Sequence, residues 1–182
     1  MKYGELTLGQ IEALVNKLGG MGGVRRILAG AEVVIKGLLS LVTTITAPAI
    51  ESFVAANKFR EGETIDGVKI GGIGDNFKKH LLGKIEKKVS EAVLRIQNLE
   101  EASVDGPILE ELGDTAETTL AHLWEVLKRG KKAWYIAYIR DDNGELWAVG
   151  ANWDVDRVYW NVGAVPVTNP NRWNAGDQVV SR

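Results

Sequence analysis

Three short apolar runs follow Gly130, and this pattern restricts the possible fold more than any other feature of the chain. The runs cover residues 133–140, 145–151 and 158–165, and turn residues separate them. Asn143-Gly144 lies between the first two runs, and this pair supplies the positive φ angles that a tight hairpin requires. The runs therefore predict an antiparallel β-meander.

A helix is predicted directly before this meander. Asp114 or Thr115 can cap its start, and Gly130 stands at its end. Its apolar residues recur at the spacing of one helix face: Ala116, Leu120, Leu123, Trp124 and Leu127. We expect this helix, residues 115–129, to pack on the meander with Trp124 in the core.

The first third of the chain predicts helices with one strand. Thr7 and Gln10 have the spacing of a capping box, so a first helix is expected up to Gly19-Gly20. Val24, Ile27 and Leu28 indicate a second, short helix, and the β-branched run Ala31–Ile35 favours a strand. The sequence does not decide the secondary structure of residues 37–60. Leu41–Ile45 favours a strand, and Ala47–Phe59 could form a helix.

The middle of the chain predicts a strand, a long helix, a second strand and a turn. The strands are Val68–Ile73 and Ala92–Leu99, and the turn is Asp105-Gly106-Pro107. Between the strands, apolar residues at helical spacing predict a lysine-rich helix from Asp75 to Val89. The fold class is therefore α+β: an antiparallel C-terminal β-meander packed against a helix, with N-terminal helices. We expect a helical or mixed segment at 1–56 and an α+β domain at 57–182.

Composition excludes several classes of site. The chain has 182 residues, no cysteine, two histidines and a formal net charge of −2. Without cysteine there is no disulfide, thiolate metal site or iron–sulfur ligation, and two histidines on separate predicted helices are too few for structural zinc. We expect no bound metal, no cofactor and a soluble, cytoplasmic protein. The most apolar stretch, Gly37–Ile50, is too short to span a membrane.

Four stretches carry a resemblance: KIGGIGDNFKKHLLGKIE, TTLAHLWEVLKRG, DDNGELWAVGANW and NPNRWNAGDQVVSR. Together they resemble a group of uncharacterised bacterial proteins from environmental and candidate-phylum genomes. The resemblance covers roughly residues 57 to 182 and implies a bacterial, cytoplasmic setting. It implies no activity, cofactor or catalytic residue.

Charged and glycine-rich motifs favour structural roles over binding. The lysines of the predicted helix could contact nucleic-acid phosphates, but Glu86 and Glu91 interrupt them and no adjacent aromatic run offers base stacking. Gly71–Gly74 could hold a phosphate, although its spacing fits no phosphate-binding fingerprint. The lysines in question are Lys78, Lys79, Lys84, Lys87 and Lys88.

The two histidines offer little chemistry by themselves. His122 lies about 200° from Leu120 around its helix, at about 100° per residue, which predicts a solvated surface histidine. His80 lies beside the apolar stripe of the lysine-rich helix and is expected at the boundary between core and solvent.

The tryptophans suggest the leading function. All six lie between positions 124 and 173, and the second meander run is apolar on both faces. One helix can cover only one face, so we predict a partly exposed patch centred on Trp147 or Trp153 that binds a protein partner or a second copy. The leading function is a non-enzymatic binding or interaction module. The alternatives are an enzyme acting on a phosphorylated or glycosidic substrate through carboxylates, and a structural homo-oligomer subunit.

Overall fold

The computed structural model describes residues 7–18, 20–30 and 37–182. The chain divides into two compact units, Met1–Lys36 and Gly37–Arg182. The sequence placed this boundary after residue 56, but the strands formed by residues 39–54 pair with later strands of the second unit.

Two helices make up the described part of the first unit. Helix α1 covers Leu8–Lys17, and helix α2 covers Gly20–Leu28. The capping box predicted at Thr7 and Gln10 is present, because the Thr7 hydroxyl accepts the Gln10 N–H at 3.3 Å. The strand predicted at Ala31–Ile35 lies outside the described residues.

The second unit alternates strands with short helices. Its strands are β1 (Leu39–Ala47), β2 (Ile50–Val54), β3 (Thr64–Ile65), β4 (Val68–Ile73), β5 (Ile85–Val89), β6 (Ala92–Leu99), β7 (Glu117–Thr118), β8 (Trp134–Arg140), β9 (Leu146–Asp154), β10 (Tyr159–Pro166) and β11 (Gln178–Ser181). Its helices are α3 (Ala55–Lys58), α4 (Asp75–His80), α5 (Asp105–Leu112) and α6 (Leu120–Arg129), with a 3₁₀ turn at Gly113–Thr115.

Most of these strands form one mixed sheet. Its order is β1-β6-β11-β8-β9-β10-β4-β3, with β7 also paired to β8, while β2 and β5 form a separate two-stranded sheet. Three pairs are parallel: β10 with β4, β11 with β8, and β7 with β8. The consecutive strands β8, β9 and β10 pair antiparallel. The predicted α+β class is confirmed.

One face of the large sheet packs against α6. Trp124 of this helix is 1% exposed and contacts the Phe59 ring edge-on, with ring centroids 5.2 Å apart. Trp160 of β10 is fully buried in the same core. The predicted burial of Trp124 is therefore confirmed.

The opposite face of the large sheet is also packed against other segments of the chain. Helix α5 and the segment before β11 pack there, in a second apolar cluster that includes Ile108, Ile136 and Tyr138. The sequence predicted only a turn at Asp105-Gly106-Pro107, but these residues begin α5. Proline is tolerated in a first helical turn because the N–H it lacks has no partner there.

The prediction of one lysine-rich helix from Asp75 to Val89 is wrong. Helix α4 ends at His80, and the chain continues as β5, which pairs antiparallel with β2. The buried Glu86 carboxylate accepts the N–H groups of Leu120 and Ala121, each at 2.9 Å, at the first turn of α6. These contacts join residues more than thirty positions apart and outweigh the local helical pattern.

Among the described residues, no helix is both long enough and apolar enough to cross a membrane.

We expect Trp124→Ala to lower the free energy of unfolding by about 3–5 kcal/mol, as large aromatic truncations in cores do. Trp134→Ala is the matched control, because Trp134 is 42% exposed and its loss should cost about 1 kcal/mol or less. Urea denaturation followed by circular dichroism measures both values. Equal losses in the two variants would contradict the assigned burial.

Candidate functional site

A groove of about 670 Å³ lies on the sheet face opposite α6, over β9, β10 and the end of β4. We call it the glycine groove. Its residues on β9, namely Ala148, Gly150 and Asn152, alternate with Trp147, Val149 and Ala151, which belong to the core on the α6 side. Small-molecule sites commonly have volumes of about 300–1,000 Å³, so the groove is large enough for such a ligand.

Glycines form the floor of the groove. Gly150 and Gly163 lie opposite each other on β9 and β10. A Cβ atom built on Gly163 would meet no atom of the described residues within 4 Å, so the space above it is open in that part of the chain. Because Gly163 lacks a side chain, a ligand can approach the β10 backbone closely there.

Two tryptophans stand over this floor. A Cβ atom on Gly150 would lie 3.5 Å from Nε1 of Trp134 and 3.5 Å from Cη2 of Trp173. The Trp173 indole N–H donates to Oδ1 of Asp105 at 2.7 Å, and the same oxygen accepts the Tyr138 hydroxyl at 2.9 Å. Burial raises the pKa of Asp105. Trp173 is therefore held in place, whereas Trp134 is more exposed.

Amide groups supply the polar contacts of the groove. Asn152 and Asn161 lie opposite each other on β9 and β10. Neither side chain hydrogen-bonds to another residue in the part of the chain that the structure describes. Asn76 donates to the Ala164 carbonyl at 3.1 Å. The two unpaired amides can each donate and accept hydrogen bonds from a ligand.

The groove is unfavourable for anions. Glu61 and Asp75 line it, and no lysine, arginine or histidine does so among the described residues. Lys78 lies 2.9 Å from Glu61, and Glu61 also accepts the Ile73 N–H at 3.2 Å. The Lys78 ammonium and the Ile73 amide lower the pKa of Glu61, so this carboxylate stays ionised. The Gly71–Gly74 turn borders these carboxylates, which would repel a phosphate.

The tryptophans singled out by the sequence lie on the other face. Trp147 is 7% exposed and stacks on the His80 ring with centroids 4.2 Å apart, so it does not form an exposed patch. Trp153 is half-buried against Trp160, and the Lys132 ammonium lies 4.4 Å from its ring centre. Apolar residues on both faces of β9 are thus largely covered within the protein. A binding role for these two residues stays a prediction.

The five lysines do not share one helix face. Lys78 and Lys79 belong to α4, while Lys84 precedes β5, and Lys87 and Lys88 lie within it. The Lys84 ammonium donates to the Arg140 carbonyl at 2.7 Å and lies 3.7 Å from Asp142. Nucleic-acid binding through these residues remains an untested prediction.

The predicted surface position of His122 is wrong. The residue is 3% exposed and lines a second cavity, of about 420 Å³, that also contains Glu86, Arg140 and Arg182. Helical spacing alone placed it in solvent, but β5 packs against the start of α6, where Glu86 accepts the N–H groups of Leu120 and Ala121. Burial lowers the pKa of His122, and the nearby Arg182 cation contributes.

One cluster could hold a metal ion. His80, Asp141 and Glu145 each offer a ligand atom, and the three atoms lie within 4.8 Å of one another.

Compared with known protein families, curated proteins and solved structures, the chain has no match.

Sequence reasoning missed the glycine groove. A usable signal was present, because small or amide residues alternate with mostly larger apolar ones in the middle of both strands: Ala148, Gly150 and Asn152 on β9, and Asn161 and Gly163 on β10. The sequence did not reveal that Trp173 would lie beside them. That contact depends on an isolated bridge between Ser103 and Trp173, which are 70 positions apart.

We expect His122 to make stability depend on pH. Its pKa is lowered in the folded state, so the unfolded chain binds the proton more tightly, with a pKa of about 6.5. The stability it contributes is complete above about pH 6.5 and is lost as the pH falls towards the folded-state value. Urea denaturation at about pH 7.5 and about pH 5 should therefore show a larger loss in the native protein than in His122→Leu. The same loss in both proteins would contradict this assignment.

Proposed function

We propose that this protein is a non-enzymatic binding module and that the glycine groove of its C-terminal meander takes a small, neutral ligand rich in hydroxyl groups, such as a sugar. The observation that carries this proposal is the combination of a glycine floor, two indoles and two unpaired amides in one groove. We further propose a bacterial, cytoplasmic setting, in keeping with the absence of cysteine and the resemblance of residues 57–182.

The chemistry of the groove selects this ligand class. Indole rings offer flat apolar surfaces on which the C–H face of a sugar ring can pack, and the Trp134 N–H group can donate a hydrogen bond. Asn152 and Asn161 can pair with hydroxyl groups, which also both donate and accept. Glu61 and Asp75 disfavour phosphates and carboxylates.

Binding is favoured over catalysis by the state of the carboxylates. A glycoside hydrolase commonly uses two carboxyl groups, one of which must carry a proton. Glu61 is held ionised by Lys78 and the Ile73 N–H, so it is unsuited to donate a proton. Glu61 therefore does not supply the general acid that the enzyme hypothesis requires.

The direct test is titration with free neutral sugars, namely glucose, N-acetylglucosamine and cellobiose, by calorimetry and tryptophan fluorescence. We expect saturable binding of at least one of them, and none of inorganic phosphate. Gly163→Val should weaken that binding at least about tenfold, because its side chain fills the open space above the floor. Trp134→Ala should weaken it as well.

Gly83→Ala is the matched control, since a Cβ at this position also meets no atom of residues 37–182 within 4 Å and lies outside the groove. It should bind like the native protein. If no neutral sugar binds, or if Gly163→Val binds as well as the control, the proposal fails. If the molecular mass in solution rises with protein concentration, and Trp134→Ala abolishes that rise, the homo-oligomer alternative would be favoured instead.

A further inference from the structure

The hairpin turn between β8 and β9 builds a small cluster of metal-ligating groups. Asp141 is the first residue after β8, Glu145 precedes β9, and His80 is the last residue of α4. The Asp141 N–H donates to the Glu145 carbonyl at 2.9 Å, and Gly144 takes the positive φ of 84° that closes the turn. The backbone that carries two of the three groups is therefore well defined.

Asp141 is the buried centre of the cluster and is 4% exposed. Its Oδ1 accepts the N–H groups of Asn143 and Glu145, each at 2.9 Å. Its Oδ2 is buried and accepts no hydrogen bond of normal geometry from the described residues. One buried oxygen of this carboxylate therefore has no full partner among these residues.

The separation of His80 and Asp141 fits a metal better than a direct hydrogen bond. Nδ1 of His80 lies 3.4 Å from Oδ2 of Asp141. A charge-assisted N–H···O bond is usually about 2.7–2.9 Å long. A tetrahedral ion with bonds of about 2.0–2.1 Å holds its ligand atoms about 3.4 Å apart.

The other two ligands are suitably placed. The His80 ring is held by stacking on Trp147, at an interplanar angle of 32°. Glu145 is exposed, and its side chain makes no hydrogen bond or ion pair with another described residue. Its carboxylate can therefore close on an ion by side-chain rotation alone.

We propose that His80, Asp141 and Glu145 bind a divalent ion of the zinc type, with Nδ1 and two carboxylate oxygens as ligands and a fourth position open to water. One imidazole and two carboxylates suit Zn²⁺ and Co²⁺. The sequence predicted no metal because these residues are up to 65 positions apart and lack any metal-binding spacing. The site is separate from the glycine groove, so either proposal can fail alone.

The test uses tag-free protein treated with EDTA and dialysed. Calorimetric titration with ZnCl₂ should give one ion per chain, and CoCl₂ should produce the visible absorption of tetrahedral Co²⁺. His80→Gln and Glu145→Gln should each weaken Zn²⁺ binding about tenfold or more. Glu145 is exposed, so Glu145→Gln should fold normally and keeps the test decisive even if His80→Gln is unstable.

Asp142→Asn is the matched control, because this neighbouring carboxylate is 68% exposed and lies outside the cluster. It should leave Zn²⁺ affinity within about twofold of the native value. The proposal is overturned if Zn²⁺ does not bind stoichiometrically, or if Glu145→Gln binds as tightly as Asp142→Asn. Binding of Mg²⁺ in preference to Zn²⁺ would overturn the zinc assignment.

Discussion

The central strands β8 and β9 are apolar on both faces, and the rest of the second unit is arranged to cover them. Helix α6 packs on one face, with Trp124 and the rings around it excluding water. Helix α5 and the segment containing Trp173 pack on the other. Burying both faces removes much more apolar surface from water than a one-sided sheet could, and this burial is the main stabilising term of the fold.

The glycine groove lies where helix α5 and the segment containing Trp173 no longer cover the sheet. Trp173 marks the edge of that cover, and beyond it the sheet presents glycine and asparagine in place of large apolar side chains. No helix or loop of the described chain covers this part of the sheet, and its own side chains are too small to fill the space. The result is a concave surface on a rigid backbone. The position of the groove therefore follows from how far the covering segment extends.

Helix α4 connects the groove to the proposed metal cluster although it has only six residues. Asp75 and Asn76, at its start, line the groove, while His80, at its end, reaches the β8–β9 turn. Phe77, between them, is fully buried and anchors the helix in the core. A ligand in the groove and an ion at the turn would thus contact opposite ends of one anchored element.

The sequence by itself determined the elements whose signals are local: the Asn143-Gly144 turn, the alternation of the meander strands, the apolar face of α6 and the strand β6. It did not determine β5, whose helical spacing is overridden by pairing with β2 and by the Glu86 contact with α6. It also did not determine the burial of His122, the groove or the His80–Asp141–Glu145 cluster. Each of these depends on contacts between residues far apart in the chain, such as the parallel pairing of β4 with β10. Local propensity carries no information about such pairings, because their free energy arises only when the distant segments pack together.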